Sequence, residues 1–197
     1  MRTVGVLLFD GFELLDVFGP LEMFGMRDED FAIRLVSEGA REVASSQGPR
    51  SVIDDTFADQ GRYDMLLVPG GMGTRREVGN ENLLRWLIEA AAHAEWVTSV
   101  CTGSALLAKA GILDGRRATS NKNAFDWVMS QGPNVLWQKR ARWVEDGKFV
   151  TSSGVSAGMD MALAVIARLC GIESAHQVAR YAEYRWHEDS TDDPFAR

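Results

Sequence analysis

Trp96-Val-Thr-Ser-Val-Cys101-Thr102-Gly103-Ser104-Ala105-Leu-Leu-Ala108 is the stretch from which the rest of the chain can be read. Trp96 to Val100 are mostly β-branched or apolar and predict a short buried strand. Thr102 to Ala108 opens as a helix, with small residues where chain and strand pass closely. A strand that turns sharply into a helix holds the residue at the turn strained and exposed, as in a nucleophile elbow. The helix N-terminus sets free N–H groups and partial positive charge beside the Cys101 sulfur. That predicts a lowered thiol pKa and available thiolate near neutral pH. The competing reading is a buried structural cysteine, a common fate of free Cys.

Working outward, the same alternation repeats. Thr3 to Phe9 and Tyr63 to Val68 are continuous apolar runs, as in parallel strands covered on both faces, and Phe31 to Val36 alternates like a strand. Glu13 to Met26 has helical spacing, with Gly19-Pro20 read as a break and a new first turn. Val43 to Thr56 predicts one or two short strands around Gln47-Gly-Pro49. Glu81 to Glu95 is an amphipathic helix. Asn123 to Met129, Met159 to Leu169 and Glu173 to Trp186 read as helices. Val135 to Trp137, Arg142 to Val144 and Phe149 to Thr151 read as strands, the last two joined at Asp146-Gly147. Residues 187–197 read as a polar, acidic, frayed tail after a single domain at 1–186. Strands alternating with helices imply an α/β three-layer sandwich around a mainly parallel sheet.

Composition limits the partners. A chain of 197 residues with 46% hydrophobic and 25% charged residues suits one globular domain. The net charge of −7 argues against nucleic-acid binding by bulk electrostatics. No apolar run approaches the ~20 residues of a membrane span. Val4 to Phe9 is too short for a signal segment, so a cytoplasmic location is expected. Cys101 and Cys170 have no paired spacing, so neither disulfide framework nor metal knuckle is expected.

In a parallel α/β sheet, sites form beyond the carboxyl ends of the strands. Three such ends are chemically unusual: Asp10 to Asp16, Pro69-Gly70-Gly71-Met72-Gly73, and Cys101-Thr102. The N–H groups of Gly70 and Gly71, unshielded by side chains, can join that of Thr102 as an oxyanion hole. A plain tight turn would use the same glycines. Asp16 has two readings: a carboxylate facing water at a turn, or a buried acid of raised pKa that donates to the sulfur.

Five blocks, in order, are similar to the ThiJ/PfpI superfamily, a class I glutamine amidotransferase-like group. They are Leu14-Leu-Asp16-Val-Phe-Gly-Pro20, Leu67-Val-Pro69-Gly70-Gly71, Ser99-Val-Cys101-Thr102-Gly103, Leu113-Asp-Gly-Arg-Arg-Ala-Thr119 and Ser153-Gly154-Val-Ser-Ala-Gly-Met-Asp160. They span essentially the whole domain and look most like the isocyanide hydratase branch. The resemblance implies a flavodoxin-like sandwich, commonly a homodimer, acting on a small molecule without cofactor or metal. It makes Cys101 the nucleophile and Asp16 the acid contacting its sulfur. The N–H groups of Gly71 and Thr102 line an anion site, and the Thr102 hydroxyl touches substrate. Gly154 and Val155 shape the pocket floor.

One departure bears on the chemistry. Many relatives have a His shortly after the Ala-Thr-Thr segment, and Asn121 stands there in this chain. His93, His176 and His187 lie elsewhere in sequence. Peptidase or amidase chemistry needs an imidazole to deprotonate the thiol and protonate a leaving amine. A Cys with a protonatable Asp can instead add thiolate to an electrophilic carbon, as in hydration of an isocyanide to an N-substituted formamide. The alternatives are a redox-sensing protein, a glyoxalase- or deglycase-like enzyme, and a non-catalytic ligand-binding domain. Related domains precede helix-turn-helix segments in regulators, and the end of this chain at Arg197 argues against that last reading.

Overall fold

The computed structural model describes residues 1–39, 41–59 and 61–196. In chain order its elements are β1 (Arg2–Leu7), α1 (Leu14–Gly25), β2 (Phe31–Ser37), β3 (Glu42–Ala44), β4 (Arg50–Val52) and β5 (Asp55–Thr56). Then come β6 (Met65–Val68), α2 (Thr74–Glu77), α3 (Glu81–His93), β7 (Trp96–Val100), α4 (Gly103–Lys109), β8 (Arg117–Ala118) and α5 (Phe125–Gln131). The chain closes with β9 (Leu136–Trp137), β10 (Trp143–Asp146), β11 (Phe149–Ser152), α6 (Ala157–Cys170) and α7 (Ile172–Tyr181).

The main sheet runs β10-β11-β7-β6-β1-β2-β5 and is parallel except for the β10–β11 hairpin. The strands read as unbroken apolar runs because both faces are covered: Val4, Val6, Met65, Leu67, Val97 and Val100 have no exposed surface. The three strands β1, β6 and β7 are adjacent and point the same way. Their carboxyl ends, and the loops that follow, therefore meet at one rim of the sheet. This is the fold class read from the sequence, a three-layer α/β sandwich.

Two expectations fail for identifiable reasons. The break at Gly19-Pro20 does not occur, and Pro20 lies inside a continuous α1. Proline there removes the bond that Asp16 C=O would accept, and packing against α6 outweighs that loss. A side chain at Gly19 would come within 2.9 Å of Met159, and one at Gly158 within 3.2 Å of Pro20. The described part of the tail is also not frayed; residue 197 lies outside the described residues. His187 N–H bonds Asp160, Ser190 C=O accepts from Arg142 N–H, and the Asp193 side chain is buried. Its polar composition suggested solvent, but a buried cation awaits it. Arg142 is 5% exposed and pairs with Asp160 at 2.6 Å, with Asp193 at 3.7 Å beyond.

Arg75 and Arg76, at α2, are both exposed and each has a partner. Arg75 stacks over the Trp127 ring at 4.2 Å, and Arg76 bonds Glu77 and the Asp10 carbonyl. Among the described residues no helix is long and apolar enough to cross a membrane.

Candidate active site

Cys101 follows β7 directly and is held at φ 58°, a left-handed conformation that costs a non-glycine residue about 1 kcal/mol. The surroundings fix it from both sides. Its N–H donates to the carbonyls of Ser152 and Ser153, both at 3.2 Å. Its carbonyl accepts the hydroxyls of Ser104 at 3.1 Å and Ser120 at 2.8 Å. The helix that follows starts close to β6, where a Cβ on Gly103 would lie 2.1 Å from the Val68 carbonyl oxygen. The sharp strand-to-helix turn expected from the sequence is present, but the residue at it is buried, not exposed as expected.

The sulfur is buried, and burial pushes its pKa well above the ordinary thiol range, with the Asp16 charge adding to the rise. The Thr102 N–H, the Asn121 side chain and the Thr102 hydroxyl oppose that shift without reversing it. This corrects the expectation of a lowered thiol pKa. Desolvation outweighs the dipole of α4, a helix of only seven residues.

Asp16 lies in the first turn of α1 with no exposed surface. Its carboxyl faces the Cys101 thiol. One oxygen, Oδ2, accepts the Gly70 N–H at 2.9 Å, and the other, Oδ1, has no N–H or O–H donor. Burial raises its pKa well above the carboxylate range; the Gly70 N–H lowers it in part, and the Glu13 charge adds to the rise. Of the two readings of Asp16, the buried acid is the one observed. Two such neighbours do not both ionise, so the pair holds at most one negative charge.

The two glycines differ from the expected open anion site. Gly70 N–H is engaged by Asp16, and Gly71 N–H donates to the Thr102 hydroxyl at 3.1 Å. Their missing side chains serve close packing. A Cβ at Gly70 would lie 2.5 Å from Thr102 N, and one at Gly71, where φ is 124°, would lie 2.4 Å from Glu13 N. Both N–H groups therefore orient the acid and the hydroxyl. Of the three expected anion donors, only the Thr102 N–H reaches the sulfur.

Sequence reasoning missed Thr74, which is fully buried at the start of α2. Its hydroxyl lies 2.7 Å from the Gly71 carbonyl and 3.1 Å from the Thr102 hydroxyl. The Gly71 N–H occupies one lone pair of the Thr102 oxygen, and the Thr102 proton is free to turn to the sulfur. A Thr just past a glycine run was the available signal.

Asn121 is placed by its own backbone. Its Oδ1 accepts the N–H groups of Asn123 at 2.9 Å and Ala124 at 3.1 Å, at the entry to α5. The amide nitrogen is thereby left to face the Cys101 sulfur, which the side chain hydrogen-bonds. Gly154 lies between them: a Cβ there would sit 2.2 Å from Asn121 Nδ2 and 3.0 Å from Cys101 Sγ. Outside this group a cavity of about 570 Å³ opens, lined by Leu15, Asn121, Gly154, Val155, Pro194 and Phe195 among others.

The histidines are engaged elsewhere. His93 bonds Glu89 O, His176 faces Glu188, and His187 faces Asp192 O. Cys170 is half-buried beside Asp30. Trp143 is buried, and Trp186 donates to Asp160 O. Lys122 donates to Thr119 and Ala141 O, and burial lowers its pKa to about 8. Among the described residues no group of three or more metal-ligating side chains is assembled.

The family model described as the DJ-1/PfpI family matches residues 2–168. An isonitrile hydratase of Pseudomonas putida is 35% identical over 181 residues, covering 92% of this chain and 78% of that protein. The HTH-type transcriptional regulator GbdR of Pseudomonas aeruginosa is 29% identical, and this chain spans about half (51%) of its length. Among solved structures, a ThiJ/PfpI family protein from Pseudomonas syringae superposes with a TM-score of 0.86 at 31% identity, covering 93% of this chain and 75% of that one.

Proposed function

Since the chain belongs to the DJ-1/PfpI family, we propose that it is a cysteine-dependent hydratase that converts an isocyanide to an N-substituted formamide. One observation carries this reading. A buried carboxyl of raised pKa faces the buried thiol, and the third group at the sulfur is an amide that does not titrate. The site holds a nucleophile and a movable proton but no imidazole, which suits addition to a neutral carbon better than expulsion of an amine.

The reaction balances with these groups. The sulfur bonds to the terminal carbon of R–N≡C, and that carbon receives a proton through Asp16, giving R–N=CH–S–Cys101. Water then adds across the C=N bond, its oxygen to carbon and a proton to nitrogen, with Asp16 relaying the proton. The C–S bond breaks, the thiol regains its proton, and R–NH–CHO leaves. The Thr102 N–H, the Thr102 hydroxyl and Asn121 stabilise negative charge on the sulfur at both ends of the sequence. Gly70 and Gly71 orient Asp16 and Thr102, while Gly154 and Val155 keep the approach open. The substrate is a small molecule, no cofactor is required, and the protein acts in the cytoplasm as a homodimer.

Relatives with this fold include a deglycase and regulators. A redox sensor calls for an exposed thiol of low pKa, and here burial opposes both. The deciding measurement is formamide production from simple alkyl and aryl isocyanides. Wild-type protein forms it and Cys101→Ala does not. Absence of turnover across both classes overturns the proposal.

A further inference from the structure

One buried cation, Arg142, reaches both chain segments, 154–156 and 194–196, that line the cavity beside Asn121. Arg142 Nη2 lies 3.2 Å from the Ser156 hydroxyl, next to Gly154 and Val155. The same guanidinium pairs with Asp160 of α6 and faces Asp193 at 3.7 Å. Asp193 in turn shapes the last turn of described chain: its Oδ1 accepts Phe195 N–H at 2.8 Å, and its carbonyl accepts Ala196 N–H at 2.9 Å. Arg140 C=O accepts Asp193 N–H at 2.7 Å. The backbone of this segment is therefore fixed, yet the Phe195 ring is left 64% exposed at the cavity. Leu15, 41% exposed, and Val155 line the same cavity. An anchored aromatic ring beside open apolar surface is a feature of a binding site more than of a core.

We propose that Pro194 and Phe195 form the outer wall of the substrate pocket, and that the Phe195 ring selects substrates carrying an apolar, planar substituent. A substrate can enter past Asn121 and Gly154 with its reacting carbon toward Cys101 and its substituent against Phe195, Val155 and Leu15. This rests on Cys101 being the reacting atom, and not on which electrophile it attacks.

The test uses thiol alkylation, which needs no turnover. Full-length protein is treated at pH 9 with iodoacetamide and with N-benzyl iodoacetamide, and modification is followed by peptide mass at each cysteine. Cys170, half-buried near the end of α6 and away from the cavity, gives the intrinsic ratio of the two probes. In wild type, Cys101 favours the benzyl probe relative to Cys170. Phe195→Ala lowers that preference by about 3- to 10-fold, as expected for losing one apolar contact surface. Asp193→Asn, which loosens the anchor and leaves the ring in place, lowers it in the same direction. A preference unchanged or increased in Phe195→Ala overturns the proposal, as does a wild-type Cys101 that neither probe reaches. Failure of isocyanide turnover with the benzyl preference intact would strike only the reaction assigned above.

Discussion

Asn121 offers its amide nitrogen to Cys101 because the N–H groups of Asn123 and Ala124 already hold its amide oxygen. A helix-entry cap and a sulfur ligand are thus one side chain, and the two duties can be separated by substitution. Asn121→Asp keeps an oxygen for both backbone N–H groups but turns a second oxygen toward the sulfur. The thiol loses a donor and gains a repelling charge, so turnover falls by about 10²-fold while thermal stability changes little. Asn121→Leu loses both duties and lowers the unfolding free energy as well, by the ~1 kcal/mol of a lost cap. Equal activity in Asn121→Asp and wild type would show that the amide does not serve the sulfur.

Asp16 links activity to pH. Its raised pKa means that the folded state keeps the proton after the unfolded chain has lost it. From the ordinary carboxylate range up to the raised value, the native state binds more protons than the unfolded state. Stability therefore falls as pH rises through that window. Asp16→Asn retains an oxygen for Gly70 N–H and has nothing to titrate. The variant gains stability over wild type toward neutral pH, and the gap closes in acid. Its turnover drops by about 10³-fold for want of a movable proton. Denaturation midpoints across pH for both proteins check the first half, and initial rates check the second.

Much of this site was legible from residue order. The strand before Cys101, the elbow, and the rim shared by Asp16, Gly70 and Cys101 follow from alternation and from where glycine is needed. Other features depended on long-range partners and left no local trace. Burial of the sulfur overrode the dipole argument, because desolvation is set by the loops that cover it. The Gly70 and Gly71 N–H groups were engaged by side chains 54 and 31 residues away in sequence. Pro20 continues α1 because Gly19, Met159 and Gly158 pack across helices. The tail was misread because its anchor, Arg142, lies some fifty residues earlier.

Strain at the elbow predicts an unusual ranking. At φ 58° any side chain carries the left-handed penalty, so Cys101→Gly is more stable than Cys101→Ala by about 1 kcal/mol, the reverse of the order in a helix or strand. Both are inactive. Chemical denaturation of the pair measures the difference, and an alanine variant at least as stable as the glycine one would mean the elbow relaxes when the sulfur is removed.

Arg142 is the cation on which two buried carboxylates depend. Asp160 has no exposed surface, and it also takes the Tyr184 hydroxyl at 3.0 Å and His187 N–H at 2.9 Å. Replacing the arginine by methionine fills similar space but leaves Asp160 and Asp193 buried without their counter-ion. Breaking one side of such a pair costs about 3–5 kcal/mol, so Arg142→Met lowers Tm more than any active-site substitution above. The double variant Arg142→Met with Asp160→Asn removes one stranded charge and recovers part of the loss. Non-additivity of this kind distinguishes a charge left alone from a hole in the packing, which a second substitution would not repair. If the double variant is instead less stable than Arg142→Met, the hydrogen bonds of Asp160 to Tyr184 and His187 need its full charge. The cluster would then be held together by that acceptor more than by the ion pair.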